Sequence, residues 1–417
     1  MTFDPAELTA ELDARLEDAD AALAAQFPGE RVGRQPVHTV YVPADRYDAG
    51  LVDRWREEAC AALDQHGRNG AFTGAADVPA EAADDLLARV RAKLASEPIE
   101  DLRIDFEDGY GSRPDGEEDA AVDTAAAGLL KAVESGCSTA SIGIRFKSFE
   151  APTRARGVRT LARFVEAVSR HGTLPEGFVV TLPKVTSVEQ VGAMVVACER
   201  IEAAVGLARG ALRFEIQVET PQAICGPDGS ALVARMVHAS AGRCTALHYG
   251  TYDYSASCGI AAAHQSMEHP AADHAKAVMQ VAAAGTGVRL SDGSTNILPV
   301  GDDETVVAAW RLHARLIRRS LERGYYQGWD LHPAQLPSRF LATYAFYRDG
   351  LPAAAERLRN YVGQLDSGVM DEPATARALS DFIVRGLDCG ATDEAEVARL
   401  TGLDRPAIDR LARRAAD

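Results

Sequence analysis

The sequence predicts an α/β fold: a closed (β/α)8 TIM barrel that carries an N-terminal helical extension and a helical C-terminal region. Eight short apolar or alternating runs are separated by longer segments of helical character, and this alternation is typical of βαβ units and a parallel sheet. Eight such units are the number that a closed barrel requires. A doubly wound open sheet is the alternative, but it would place a Gly-rich turn after the first strand, and residues 37–45 contain none.

The predicted elements alternate along most of the chain. The predicted strands are Val37–Val42, Asp101–Phe106, Ala140–Phe146, Phe178–Lys184, Leu212–Glu219, Thr245–Gly250, Gly287–Leu290 and Tyr325–Leu331. The predicted helices between them are Asp53–Asp64 with Ala82–Ala95, Glu117–Glu134, Arg156–Ser169, Val188–Ala204, Ser230–Ser240, Ala271–Ala284 and Thr305–Arg323. We therefore expect a helical extension over residues 1–36, a catalytic barrel over 37–340 and a helical region over 341–417.

Charge and composition exclude several classes of function. The formal net charge of −17 argues against nucleic acid and acidic membrane surfaces as partners, because both require a basic protein surface. No apolar run approaches the roughly 18 residues of a transmembrane helix, and the acidic start of the chain has no signal-peptide pattern. The seven cysteines include no CxxC pair, which is typical of reduced thiols in the cytosol. We expect a soluble, cytoplasmic protein.

Three predicted strands carry charged residues on the face opposite their apolar residues. Side chains alternate between the two faces of a strand, and the apolar faces should pack against the helices. The opposite faces should then point into the barrel, and their charged residues are Arg103, Asp105 and Glu107, then Arg145 and Lys147, then Arg213, Glu215 and Glu219.

The position of each inward charge along its strand separates structural from functional interpretations. Lone charges in a barrel interior cost several kcal/mol unless they are paired. We interpret the deep residues as an internal ion network of Arg103 and Arg213 with Asp105 and Glu215. The later residues Glu107, Arg145 and Glu219 fall at the carboxyl ends of the strands, where active sites of such barrels lie.

A second carboxylate follows the next strand. The segment Leu247–Asp253 ends its strand near Gly250, so Asp253 falls in the loop just beyond it and beside Glu219. Two carboxylates with open coordination suit Mg²⁺, or Mn²⁺, because both ions prefer oxygen ligands. The alternative is that Asp253 only caps a helix.

The same segments resemble a known family. The stretch Leu102-Arg103-Ile104-Asp105-Phe106-Glu107-Asp108-Gly109-Tyr110 resembles the D-x-E-D motif of the citrate lyase β subunit/HpcH–HpaI aldolase superfamily. Further matches follow in the superfamily's order over roughly residues 37–340: Ile144-Arg145, Val218-Glu219-Thr220, Gly250-Thr251-Tyr252-Asp253, and His332-Pro333 with Gln335. The individual motifs are short, but the ordered set is fairly specific.

The resemblance implies a metal-dependent carbon–carbon lyase that acts on an anionic oxo-acid or an acyl-CoA thioester through an enolate. Together with the sorting of strand faces, it predicts Arg145, Glu107 and Asp108 as catalytic residues. It predicts Glu219 and Asp253 as ligands of Mg²⁺, or of Mn²⁺. The predicted substrate-binding residues are Arg145, Glu219, Asp105, Lys184 and His248. The resemblance also implies a homo-oligomer, a trimer or a hexamer.

The sequence departs from the family pattern, and two alternatives stay open. Lys147 stands where family members often carry Asn, a Gly-rich turn follows Asp108, and no clear CoA-binding signature is present. The substrate therefore stays open between a free oxo-acid and a thioester. One alternative is a Schiff-base aldolase that uses Lys184 as its nucleophile. The other alternative is a non-catalytic barrel subunit. Separately, we interpret His332 as a structural residue, because a His-Pro pair suits a tight turn.

Overall fold

The structure, a computed structural model, describes residues 4–31, 33–170, 172–363 and 372–412. Eight parallel strands pair in the order β7-β6-β5-β4-β3-β2-β1-β8. A parallel bridge between Ser291 and Gln327 links the two ends of this order, which makes the sheet a nearly closed barrel. The strands are β1 (His38–Pro43), β2 (Asp101–Asp105), β3 (Ser141–Arg145), β4 (Phe178–Leu182), β5 (Phe214–Val218), β6 (Cys244–Tyr249), β7 (Arg289–Ser291) and β8 (Gly328–Asp330).

Helices connect and surround these strands, so the predicted (β/α)8 barrel is confirmed. Within the described chain, no helix has both the length and the apolar character that a membrane span requires. The helices are α1 (Pro5–Gln26), α2 (Leu51–His66), α3 (Ala71–Gly74), α4 (Ala80–Ser96), α5 (Asp115–Glu134), α6 (Arg154–Val168), α7 (Val188–Val205), α8 (Pro221–Ile224), α9 (Leu232–Ala239), α10 (Thr251–Ser257), α11 (Pro270–Ala283), α12 (Asp303–Glu322), α13 (Leu336–Val362), α14 (Pro373–Cys389), α15 (Glu394–Thr401) and α16 (Arg405–Leu411).

The main core lies between the strands and the ring of helices. The apolar residues of the strands, such as Ile104, Val180 and Ile216, are fully buried in it. Burial of each such side chain stabilises the fold by roughly 1.5–3 kcal/mol. Because strand side chains alternate, this outward packing turns the intervening polar residues of the same strands into the barrel.

The two ends of the chain differ in how they meet the barrel. None of the residues of α1 is buried, whereas α13 packs against α4, α12 and α14. A buried contact also ties α13 to the sheet, since Arg339 Nη2 donates to Asp330 Oδ1 at 2.9 Å. Helix α13 begins before residue 340 and ends after it. The division into a barrel over 37–340 and a helical region over 341–417 stays a proposal. Within the expected helical ends, residues 1–3, 32, 364–371 and 413–417 lie outside the described residues.

Candidate active site

Charged side chains meet across the barrel interior, as the alternation of the strands predicts. Arg103 on β2 donates to both carboxylate oxygens of Glu215 on β5, at 2.7 and 2.9 Å, and also contacts Asp101. Two parts of the expected ion network were wrong. Asp105 pairs with Arg145 instead of Arg103. Arg213 is exposed outside the network, because β5 begins only at the next residue and leaves Arg213 at the open amino-terminal rim.

Asp105 holds Arg145 in place at the carboxyl end of β3. Arg145 donates from Nε and Nη2 to the two oxygens of Asp105, at 2.7 and 2.6 Å. The same carboxylate accepts hydrogen bonds from the backbone N–H groups of Glu107 and Gly109. A side chain at Gly109 would place its Cβ 2.6 Å from Asp105 Oδ2, so the turn after β2 requires a glycine at this point. In this arrangement Asp105 is a positioning residue for Arg145.

The third nitrogen of the Arg145 guanidinium, Nη1, forms longer contacts than the other two. Nη1 lies 3.3 Å from Gln217 Oε1 and 3.5 Å from Glu107 Oε2. The guanidinium also stands 4.9 Å from the ring centroid of Tyr41. Burial lowers the pKa of Arg145, but Asp105 and Glu107 raise it by more, so the side chain stays charged. A buried cation with one weakly held N–H edge can bind an anionic group.

Glu219 is buried directly after β5. Its Oε1 accepts a hydrogen bond from the backbone N–H of Lys184 at 2.7 Å, and its Oε2 accepts one from Gln217. Gly250 at the end of β6 leaves the room for this side chain, because a Cβ there would lie 2.5 Å from the Cβ of Glu219. Burial, together with the nearby carboxylates of Glu107 and Asp253, outweighs the opposing charge of Lys184 and raises the pKa of Glu219 to about 8.

The ammonium group of Lys184 contacts three further carboxylates of the site. Its Nζ lies 3.0 Å from Glu107 Oε1, 2.9 Å from Asp108 Oδ2 and 3.0 Å from Asp253 Oδ2. Burial lowers the pKa of Lys184, but Glu219 and Glu107 outweigh it and hold the pKa above its usual range. Burial likewise raises the pKa of Glu107 to about 7. The cluster of Glu107, Asp108, Lys184, Glu219 and Asp253 is called the carboxylate cluster below.

The structure also places the three remaining residues that the sequence singled out, Asp253, His248 and His332. Asp253 lies in the first turn of α10 and not in a loop. His248 is fully buried below the mouth, with Nε2 3.1 Å from Glu215 Oε2, and so lies away from the carboxylate cluster. His332 accepts a hydrogen bond from the backbone N–H of Ala334 and caps the short helix Pro333–Gln335, in line with its structural interpretation.

The carboxylate cluster suits a divalent cation by its chemistry. Three carboxyl groups contact the ammonium of Lys184, and Glu219 contacts the backbone N–H of the same residue, while Arg145 is engaged mainly by Asp105. The excess negative charge is what a hard cation with oxygen ligands would neutralise. As the side chains lie, no group of three or more His, Cys, Asp or Glu residues in the described ranges is placed to hold a metal ion. Glu219 and Asp253 therefore stay predicted ligands.

Two residues of the site were missed as functional residues in the sequence. Gln217 bridges the site, since it accepts from Arg145 and donates to Glu219. Tyr41 on β1 faces the Arg145 guanidinium. Both residues lie on the inward faces that the alternation predicts. Gln217 lies between the outward Ile216 and Val218 of β5, and Tyr41 lies between the outward Val40 and Val42 of β1. Neither residue is charged, and only the contacts across the barrel show their place.

The substitution Glu219→Gln should change how the stability depends on pH. The folded protein retains the proton of Glu219 up to about pH 8, whereas an unfolded chain loses it near pH 4.5. The unfolded state binds fewer protons within this window, so the contribution of Glu219 to the free energy of unfolding falls as pH rises. Gln has no proton to lose. The variant should therefore become progressively more stable relative to the wild type up to about pH 8, in urea unfolding with EDTA present.

The matched control for this prediction is Glu166→Gln, which removes an exposed carboxylate from α6. Its stability should follow the wild-type pH profile. Parallel profiles for Glu219→Gln and the wild type would show that burial does not perturb Glu219.

The fold and the site define a (β/α)8-barrel protein with a carboxylate-rich site at the carboxyl end of its strands. The chain belongs to the family described as the domain of unknown function DUF6986, whose model matches residues 16–416. No curated protein matches the chain in sequence.

The chain is similar to solved structures of other proteins. The protein CitE from Mycobacterium tuberculosis, in complex with magnesium, acetoacetate and coenzyme A, is 16% identical with a TM-score of 0.50, over 85% of this chain and 98% of that chain. Haloferax volcanii malate synthase, as its lead(II) complex, is 14% identical with a TM-score of 0.48, over 88% of both chains. The citrate lyase beta subunit of M. tuberculosis, complexed with oxaloacetate and magnesium, is 18% identical with a TM-score of 0.42, over 73% of this chain and 96% of that chain. At 16% identity the match to CitE shows a shared fold alone, and that fold is the one which the motif resemblance predicted.

Proposed function

We propose that the chain is a Mg²⁺-dependent carbon–carbon lyase that acts on an anionic oxo-acid or an acyl-CoA thioester through an enolate. The observation that carries the proposal is the carboxylate cluster beside Arg145 at the carboxyl end of the barrel. Active sites of (β/α)8 barrels lie at this end. A buried arginine next to an excess of carboxylates supplies both of the charges that an anionic carbonyl substrate and a hard cation require.

Glu219 and Asp253 would hold the cation, with Mg²⁺ favoured and Mn²⁺ as the alternative. Mg²⁺ sites are built from one or two carboxylates and keep further positions for water or substrate, so two protein ligands are enough. When bound, the ion supplies Lewis-acid stabilisation of the negative oxygen of an enolate. Support comes from CitE, which shares the fold and whose structure contains magnesium.

Arg145 would bind the carboxylate or carbonyl oxygen of the substrate. Asp105 occupies Nε and Nη2 of Arg145, so the edge at Nη1 is left to face the ligand. Because two backbone N–H groups and Arg145 fix Asp105, the guanidinium is already oriented before the ligand arrives. Such preorganised charge acts without reorganisation at the moment of reaction.

Glu107 and Asp108 are the proposed acid and base of the reaction. Cleavage of a carbon–carbon bond next to a carbonyl requires one group to take a proton and one to return it. Glu107 Oε1 and Asp108 Oδ2 both contact the ammonium of Lys184, which keeps the two carboxyl groups side by side. Lys184 would then act as a positive charge near the substrate.

The Schiff-base alternative requires a neutral Lys184 amine. Three carboxylate oxygens lie within about 3.0 Å of its Nζ, and they favour the protonated form, which is not a nucleophile. This environment favours the metal-dependent reaction. CitE was solved with both acetoacetate and coenzyme A, so free oxo-acids and CoA thioesters are both proposed as substrates to be tested.

Turnover of an oxo-acid panel with and without Mg²⁺ tests the proposal. Oxaloacetate, pyruvate with glyoxylate, and 3-hydroxyacyl-CoA thioesters are incubated with the protein, and carbon–carbon cleavage or condensation is followed by NMR. We expect turnover with Mg²⁺, a loss of at least tenfold after EDTA treatment, and recovery when Mg²⁺ is restored.

Two results would overturn the proposal. Activity that survives EDTA, together with trapping of substrate on Lys184 by borohydride, would establish the Schiff-base aldolase. Mg²⁺ binding by calorimetry without turnover of any panel member would support a non-catalytic barrel subunit.

A further inference from the structure

A cavity lies at the opposite end of the barrel from the carboxylate cluster. It has a volume of about 450 Å³ and opens among the residues that precede or begin the strands. Five arginines and four acidic residues line it. They are Arg31, Arg34, Arg103, Arg213 and Arg289, with Glu100, Asp101, Glu176 and Glu215. A surplus of cations in a cavity is unusual for a chain of net charge −17.

Three of the four acidic residues are already neutralised within the protein. Glu100 contacts Arg34 Nη2 at 2.5 Å and Lys93 Nζ at 2.7 Å. Asp101 and Glu215 share Arg103, as described above. These carboxylates therefore cannot also neutralise the arginines at the rim of the cavity.

Arg31 and Arg213 both line the rim of this cavity, close enough for their charges to interact, and the structure describes no carboxylate partner for either. Within the described residues, neither side chain forms an ion pair, and Glu176 is an exposed acidic residue of the same rim that pairs with no cation. Burial lowers the pKa of Arg31, and the charge of Arg213 lowers it further. Two like charges held together in a cavity repel each other unless an anion lies between them.

We propose that this cavity is an anion site for a phosphate group, held between Arg31 and Arg213. A phosphate dianion matches the two guanidinium charges, whereas a single carboxylate would neutralise only one of them. Planar guanidinium groups also bind phosphate oxygens in pairs. The volume admits either free phosphate or a small phosphomonoester. The proposal does not depend on the reaction at the carboxyl end.

Isothermal titration calorimetry of the full-length protein tests the site. Sodium phosphate and glycerol 3-phosphate are titrated separately at low ionic strength, at a pH where both are dianions, with EDTA present so that magnesium phosphate does not form. The variants are Arg213→Gln and Arg31→Gln. The matched control is Arg209→Gln, an exposed arginine close in sequence that pairs with Glu199 on the surface.

We expect saturable binding by the wild type, at least tenfold weaker binding by each of the two cavity variants, and unchanged binding by Arg209→Gln. Tighter binding of glycerol 3-phosphate would identify an organic phosphate as the ligand, and tighter binding of phosphate would identify the free anion. No saturable heat from the wild type, or equal affinity in the wild type and both cavity variants, would overturn the proposal. Circular dichroism checks that each variant is folded.

Discussion

The substitution Arg145→Lys is expected to lower kcat/KM for the carboxylate substrate by about 100- to 1000-fold, which corresponds to about 2.7–4 kcal/mol of transition-state stabilisation. Lysine keeps the positive charge beside Asp105, so the fold should persist. It cannot bind both oxygens of Asp105 and still present a further N–H edge to a ligand, as Arg145 does with Nη1. The decrease in kcat/KM is measured by steady-state kinetics, with the substrate from the oxo-acid panel that the wild type turns over.

The control for this prediction is Arg113→Lys. Arg113 lies in the turn after β2 and pairs with the exposed side chains of Asp45 and Glu117. Its replacement should leave kcat/KM unchanged. If Arg145→Lys behaves like this control, Arg145 serves only to neutralise Asp105, and its proposed role in substrate binding is wrong.

The substitution Arg103→Met is expected to lower the free energy of unfolding by about 3–5 kcal/mol. Arg103 is almost fully buried and holds Glu215 from two nitrogens, while a third nitrogen contacts Asp101. Methionine fills much of the same volume but leaves both carboxylates in the interior without their cation. Breaking one side of a buried ion pair is costly because the remaining charge stays desolvated. Urea unfolding at neutral pH measures the change.

Two further variants separate this effect from a general loss of packing. Arg103→Met combined with Glu215→Gln removes one of the two uncompensated charges, so it should recover part of the stability. Arg163→Met at the exposed pair with Asp123 should leave the unfolding midpoint unchanged, because solvent screens that pair. A single Arg103→Met variant as stable as Arg163→Met would mean that the interior network does not stabilise the barrel.

The alternation of apolar and polar residues carried most of the fold prediction. All eight predicted strands occur within a few residues of their expected bounds, and β2, β3 and β5 turn their charges into the barrel as predicted. The reason is local: strand side chains alternate, and the apolar face must pack against helices. Strand ends also mark the catalytic end of a barrel, so Glu107, Arg145 and Glu219 could be selected from the sequence.

The partners of these charges were decided only by the tertiary structure. The sequence showed that Arg103, Arg145 and Arg213 point inward, but not that Asp105 pairs with Arg145 while Arg213 stays at the rim. Pairing across a barrel depends on the stagger of strands that are distant in sequence, such as β2 and β5, and no local pattern encodes that stagger.

The carboxylate pair at the strand ends shows the same division. The sequence by itself placed Glu219 and Asp253 after neighbouring strands, which follows from strand order and the position of the strand ends. Only the folded chain brings Lys184, just after β4, between Glu107, Asp108 and Asp253, with Gly250 leaving room for Glu219. A charge cluster of this kind arises where several strand ends converge, and its balance of charge depends on distances that a linear sequence does not contain.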